Sequence, residues 1–87
     1  MRTIYKFPIQ IEDRQKIEFL KEPGTTPQIL HVGLDPAGVP CVWVELYVGT
    51  YPHSFEIVIV GMGGKISGAK AHVGSFVQDR FVWHVYA

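Results

Sequence analysis

"CVWVELYV", residues 41–48, carries the clearest strand pattern in the chain. Side chains of a strand alternate between two faces. With that period Val42, Val44, Leu46 and Val48 form an unbroken aliphatic face, while Cys41, Trp43, Glu45 and Tyr47 form an aromatic and polar one. The first face reads as core. The second has the composition of an interface or a ligand-contacting surface, because Trp and Tyr join large apolar area to a polar handle.

Working outward, "DPAGVP" at 35–40 is a Pro/Gly turn signal between β-rich runs, so residues 28–34 and 41–48 read as a hairpin. Alternation in 28–34 puts Leu30, Val32 and Leu34 on one face and Ile29, His31 and Gly33 on the other. Residues 55–60 are apolar at five of six positions, as a central strand requires. Residues 71–77 and 81–86 make a second hairpin around "VQDR" (77–80). In the last strand Phe81, Trp83 and Val85 are the expected core set, and Val82, His84 and Tyr86 the set facing a neighbour or a ligand.

Toward the other end, residues 3–7 and 15–20 also alternate. Residues 11–22 come nearest to a helix, with Pro23-Gly24 to stop it, but the spacing of Ile9, Ile11, Ile17 and Phe19 fits strands as well. The expected fold is all-β, a small antiparallel sandwich or barrel of about six to eight short strands in a single domain over 1–87.

A domain this short buries only roughly 60% of its unfolded surface, yet 47% of its residues are hydrophobic and 13% aromatic. Two Trp, four Tyr and five Phe exceed what so small a core hides, which points to a homo-oligomer or a ligand. Eight basic and eight acidic residues balance, so the positive field of a DNA or RNA binder is missing. Arg2, Lys6, Glu12, Asp13, Arg14, Lys16, Glu18, Lys21 and Glu22 gather in the first 22 residues, and the later strands are correspondingly poor in solvating groups. One cysteine, Cys41, and no basic-then-apolar leader suggest a reducing, cytoplasmic setting. The longest apolar runs fall far short of the ~20 residues of a membrane helix.

The densest glycine stretch is "GMGGKISGAK" at 61–70. Backbone N–H groups of Gly61, Gly63 and Gly64 with the charge of Lys65 can hold an anion such as phosphate, although Ile66 stands where the phosphate-loop motif needs Ser or Thr. A flexible loop between strands is the plainer reading. His31, His53, His72 and His84 lack the close mutual spacing of metal ligands, so no metal and no cofactor is expected and each His defaults to a structural or surface role. His84 is the exception, because an imidazole between Trp83 and Tyr86 can stack on or hydrogen-bond a planar ligand. Nucleophilic catalysis is not indicated: His53 and Ser54 are adjacent and face opposite ways, and neither Ser67 nor Ser75 sits in a G-x-S-x-G elbow. Asp35, Glu45, Glu56 and Asp79 are spread over separate elements, which argues against a carboxylate pair. Glu45 can accept hydrogen bonds from a ligand, with a cross-strand Lys or Arg as its plainer partner.

The segments at 3–19, 29–46, 55–66 and 72–87 resemble a family of short tailed-bacteriophage and prophage proteins of unknown function. That family's pattern runs from T-I-[YW]-K-[YF]-P through I-L-x-V and G-x-P-C-x-W to G-T-G-H-P-[IV] and F-x-x-H-V. Pro40, Cys41 and Trp43 together with His84 and Val85 carry it most specifically. Met62, Gly64 and Lys65 replace the pattern's Thr, His and Pro, so a site built on that threonine and histidine is remodelled here. The resemblance implies a phage-associated protein in the host cytoplasm and brings no activity with it.

Two functions follow as expectations. In the first, a non-enzymatic, oligomeric binding module sequesters a small nucleotide-like host signal, as an anti-defence protein would: Trp43, Glu45, Tyr47, His84 and Tyr86 contact the planar part, and Gly61, Gly63, Gly64 and Lys65 hold phosphate. In the second, the same faces bury themselves against identical subunits or a host or virion protein, with no small ligand.

Overall fold

The aliphatic face of residues 41–48 lies at the centre of the protein, with Val42, Val44 and Leu46 all buried. The computed structural model describes every residue except 67 and 69. Seven strands form: β1 (Arg2–Pro8), β2 (Arg14–Lys21), β3 (Gln28–Leu34), β4 (Pro40–Tyr47), β5 (Tyr51–Val60), β6 (His72–Gln78) and β7 (Phe81–Tyr86). All pairings are antiparallel, giving a three-stranded sheet β1-β4-β3 and a four-stranded sheet β2-β5-β7-β6. The two sheets make a sandwich, with the β4 valines and Leu46 packed in one cluster with Ile17, Ile57, Ile59, Phe76 and Val85. Residues 14–21, ambiguous in sequence, are a strand that pairs with β5 along its whole length.

The β3–β4 hairpin turns at Asp35. Its Oδ1 accepts the backbone N–H groups of Ala37 and Val39, each at 2.9 Å, and its Oδ2 accepts Lys6 Nζ at 3.0 Å. An Asp side chain that caps its own turn is a local alternative to backbone pairing. These contacts, the Val39 N–H first and Lys6 next, hold the Asp35 carboxyl below the usual carboxylate range. Cys41 sits beneath, Sγ 3.8 Å from Asp35 Oδ2, and burial followed by the Asp35 charge pushes its thiol up. Although Cys41 shares the outer face of β4 with Trp43, it is fully buried, a correction to the sequence reading that placed it on a contact surface.

Two further expectations are corrected. In β3, Ile29 pairs with Val44 and His31 with Trp43, so Leu30 is the extra residue of a bulge. A bulge resets the alternation, and the core side of β3 is Ile29 and Val32, with Leu30 and Leu34 exposed. In β7, Val85 is buried and Trp83, partly buried, packs against the central cluster as expected, but Phe81 is 62% exposed. The reason is the length of the neighbour: β5 pairs with β7 only from Val58↔Tyr86 to Val60↔His84, so Phe81 and Val82 run beyond it. The turn between β6 and β7 uses Asp79 and Arg80 at φ 54° and 70°, the paired left-handed conformation of a two-residue hairpin that Asn-Gly adopts with least strain.

Because β5 and β6 both lie antiparallel to β7 on its two sides, the connection from Val60 to His72 must cross the sheet. It crosses on the outside. Val58 and Val60 are buried yet lie outside the central cluster that holds Ile57 and Ile59. A Cβ at Gly64 would meet Val60 Cγ1 at 2.7 Å, and Lys70, farther along, reaches back to Glu56. Residues 57–60 are thus buried on both faces.

The sheets pack in close contact where β3 meets β6. A Cβ at Gly74 would stand 2.5 Å from Val32 Cβ, closer than carbon atoms pack, so only glycine fits. At the opposite end β4 hands over to β2 through the bridge Lys21↔Val48 and a 2.8 Å bond from the Glu22 N–H to the Tyr47 carbonyl. Gly74→Ala must therefore push the sheets apart or displace Val32, and is expected to lower unfolding stability by about 1–3 kcal/mol, read as a lower urea midpoint with an unchanged slope.

Candidate functional site

The residues singled out in the sequence fall into two groups on opposite sides of the sandwich. Trp43, Glu45 and Tyr47 share the outer face of the three-stranded sheet with Lys6, Ile4 and Arg2 of β1. The His31 ring lies 5.2 Å from that of Trp43. Glu45 stands between Ile4 and Gln28 in the register, not opposite a Lys or Arg. Gly61, Gly63, Gly64, Lys65, His84 and Tyr86 belong to the four-stranded sheet and the connection that crosses it. Within one chain the core separates the groups, so no single ligand touches both.

Gly61, Gly64, Lys65 and His84 of the second group border hollows beside Trp83, a residue the sequence reading assigns to the core; Gly63 and Tyr86 border neither. The Trp83 ring lies against Gly61, where a Cβ would meet Cζ3 at 3.0 Å. Two hollows flank it. One, of about 460 Å³, is bordered by Arg14, Val60, Gly61, Gly64, Lys65 and Trp83. The other, of about 670 Å³, is bordered by Gly61, Met62, Arg80, Phe81, Trp83 and His84. The indole Nε1–H of Trp83 is buried with no hydrogen-bond partner, a state that costs on the order of 1–3 kcal/mol. The glycine turn is closed by a 3.1 Å bond from the Gly64 N–H to the Gly61 carbonyl. Nothing in the sequence marked Trp83 as a site residue, because the period of two aims it inward; the shortness of the β5–β7 pairing is what opens its flank.

Beside the first hollow, Glu56 Oε1 accepts Arg14 Nη1 at 2.6 Å and Lys70 Nζ at 3.2 Å, while the same ammonium donates to the Glu56 carbonyl at 3.2 Å. Lys70, then Arg14, holds the Glu56 carboxyl below the usual carboxylate range. This carboxylate ties the far end of the crossing connection to β5.

On the outer face of β6 and β7 a third arrangement appears. Ser75 Oγ lies 2.7 Å from His84 Nδ1 and 3.0 Å from His72 Nε2, and the His72 ring meets Tyr86 edge-on at 5.4 Å. Sequence reasoning kept these histidines apart, and alternation would aim residues 72 and 75 to opposite faces. The bulge between His72 and Gly74 shifts the register by one and puts both on the same side. A glycine inside a strand pattern, Gly74 in "HVGSFV", was the available signal.

His53 packs between Phe19 and Phe55, each ring 5.4 Å away, while Ser54 is exposed, so that adjacent pair does face apart. Ser67 lies outside the described residues. Among the described residues no three His, Cys, Asp or Glu side chains are placed to hold a metal ion, and no helix is long and apolar enough to cross a membrane.

Residues 1–87 match a family model described as a domain of unknown function, DUF7352. Neither the curated proteins nor the solved structures contain a match.

Since the folded state favours ionised Glu56, its contribution to stability is complete above the unfolded carboxylate pKa of about 4 and is lost as pH falls through the lowered folded value. Glu56→Gln is expected to lower the urea midpoint at pH 7 and to shrink the drop in midpoint between pH 6 and pH 3. Asp35 accounts for part of the drop that remains.

Proposed function

The chain belongs to the DUF7352 family, and from its own geometry we propose a non-enzymatic binding module that takes a small, planar, phosphate-bearing molecule into the two hollows beside Trp83. The observation that carries this reading is the pair of hollows that flank the Trp83 ring, each bordered by at least one cationic side chain. The surroundings suit such a molecule. Lys65 and Arg14 border one hollow together with Glu12 and Asp13, with Arg14 also paired to Glu56, and Arg80 borders the other, with Phe81 and the Trp83 ring as apolar surface and His84 at the rim.

The ligand class is nucleotide-like, and the likeness of the sequence to short phage proteins supports a host signal molecule, bound in the host cytoplasm, as its source. Trp43, Glu45 and Tyr47 have no part in this site unless a second subunit brings them to it. In an oligomer they are the face to be covered.

A second reading keeps the surface and changes the partner. Met62 is fully exposed, Phe81 is 62% and Val82 48% exposed, so the same side of the molecule also suits a protein contact, with another copy of the chain or with a host or virion protein.

A nucleotide panel monitored by thermal shift and calorimetry separates the two. The expected result is a rise in melting temperature with one class of nucleotide, and a loss of affinity of about tenfold or more in Lys65→Ala and in Trp83→Phe, which keeps the ring and removes the N–H. No shift with any nucleotide, combined with an assembly that Phe81→Ser dissociates in light scattering, assigns the surface to protein.

A further inference from the structure

Ser75 lines neither hollow, and its surroundings have a chemistry of their own. Two imidazoles from adjacent strands converge on one hydroxyl, His84 Nδ1 at 2.7 Å and His72 Nε2 at 3.0 Å. A serine oxygen has one proton to give and lone pairs to accept with. Between neutral rings, one therefore receives the Ser75 proton and the other donates to the oxygen. Bonds donated by a hydroxyl cluster at about 2.7–2.8 Å and those donated by N–H at about 2.9–3.0 Å. The shorter contact fits donation of the Ser75 O–H to His84 Nδ1, and the longer one donation of a His72 Nε2–H to Ser75 Oγ.

His84 is then a base already in contact with the proton it would remove, and His72 holds the same oxygen in place from its other side. A hydroxyl within hydrogen-bond reach of a base is the first requirement of an activated nucleophile. The Tyr86 ring, edge-on to His72 at 5.4 Å, and the bulge at Gly74 fix the geometry from the side. Ser75 is partly exposed and both imidazoles are exposed, so an electrophile can reach the oxygen from solvent.

We propose that Ser75 is an activated nucleophile that accepts an acyl or phosphonyl group from a reactive donor. Ser75 Oγ attacks the carbonyl carbon or the phosphorus and forms the new bond. The donor's leaving group departs with the electron pair of the bond that breaks. The hydroxyl proton passes to His84 Nδ1, leaving an imidazolium, the negative charge that develops is carried by the donor's carbonyl or phosphoryl oxygen until the leaving group departs, and His72 acts by positioning Ser75 Oγ. No metal, oxidant or other reactant enters, and the step ends in a covalently modified Ser75. It shares His84 with the rim of the nucleotide hollow but acts at Ser75, which lines neither hollow, so a Ser75 adduct and nucleotide binding are read separately.

The test is incubation of the full chain with an alkyl fluorophosphonate, followed by intact mass and peptide mapping. The phosphonyl group should add once, at Ser75, with loss of fluoride. Ser75→Ala should abolish the adduct, and Ser54→Ala should leave its rate unchanged. His84→Gln should slow it at least tenfold, the low end of what a general base supplies. His72→Gln should slow it as well, and circular dichroism should show every variant folded. No adduct on the native chain, an adduct on Ser54 or Ser67 instead, or Ser75 modified at an undiminished rate in His84→Gln would overturn the proposal.

Discussion

Burial of β5 on both of its faces is the constraint from which most of this molecule follows. Ile57 and Ile59 turn inward to the β4 valines, while Val58 and Val60 turn outward and are buried as well. A strand that is apolar on both sides needs two covers. The three-stranded sheet supplies one. The other comes from the crossing connection, with Gly64 on Val60, and from Lys70 reaching over to Glu56. Each such side chain contributes roughly 1.5–3 kcal/mol when removed from water, so leaving the outer pair bare would cost a large part of a small domain's stability.

The same constraint builds the candidate site. To lie on Val60 the chain must turn sharply after β5, and the glycines at 61, 63 and 64 do so beside Trp83. The turn carries Lys65 toward the side of the sheet where Arg14 already sits. The pairing of β5 with β7 stops at Val60↔His84, so the first half of β7 projects past its neighbour and exposes Phe81, Val82 and the flank of Trp83. Site and fold share one cause: a strand pair that ends early and a connection that must come back across it.

Much of the architecture could be read from residue patterns alone. The alternation of 41–48, the Asp35 turn, the hairpin around Asp79 and Arg80, and the apolar run of β5 all appear where local chemistry puts them. What escaped were single-residue events. An extra residue at Leu30 exchanged the faces of β3, and another beside Gly74 brought His72 onto the side of Ser75 and His84. Periodicity has no term for a bulge, and a one-residue slip moves every side chain beyond it to the other face. The placement of Trp43 and Tyr47 away from Lys65 and His84 was also beyond local reading, because it depends on which strand joins which sheet. Phe81 departs from the expected core set for a third reason: Trp83 and Val85 pack inward as the alternation predicts, but what covers Phe81 depends on where the neighbouring strand ends.

The outer cover of β5 can be observed directly by methyl-resolved nuclear Overhauser spectroscopy on the native chain in solution. Val60 methyl protons are expected to show cross-peaks to the Hα protons of Gly64. If instead the Val58 and Val60 methyls contact only water and their own sheet, and Gly64 gives random-coil shifts, the connection does not cover the strand and the doubly buried β5 is contradicted.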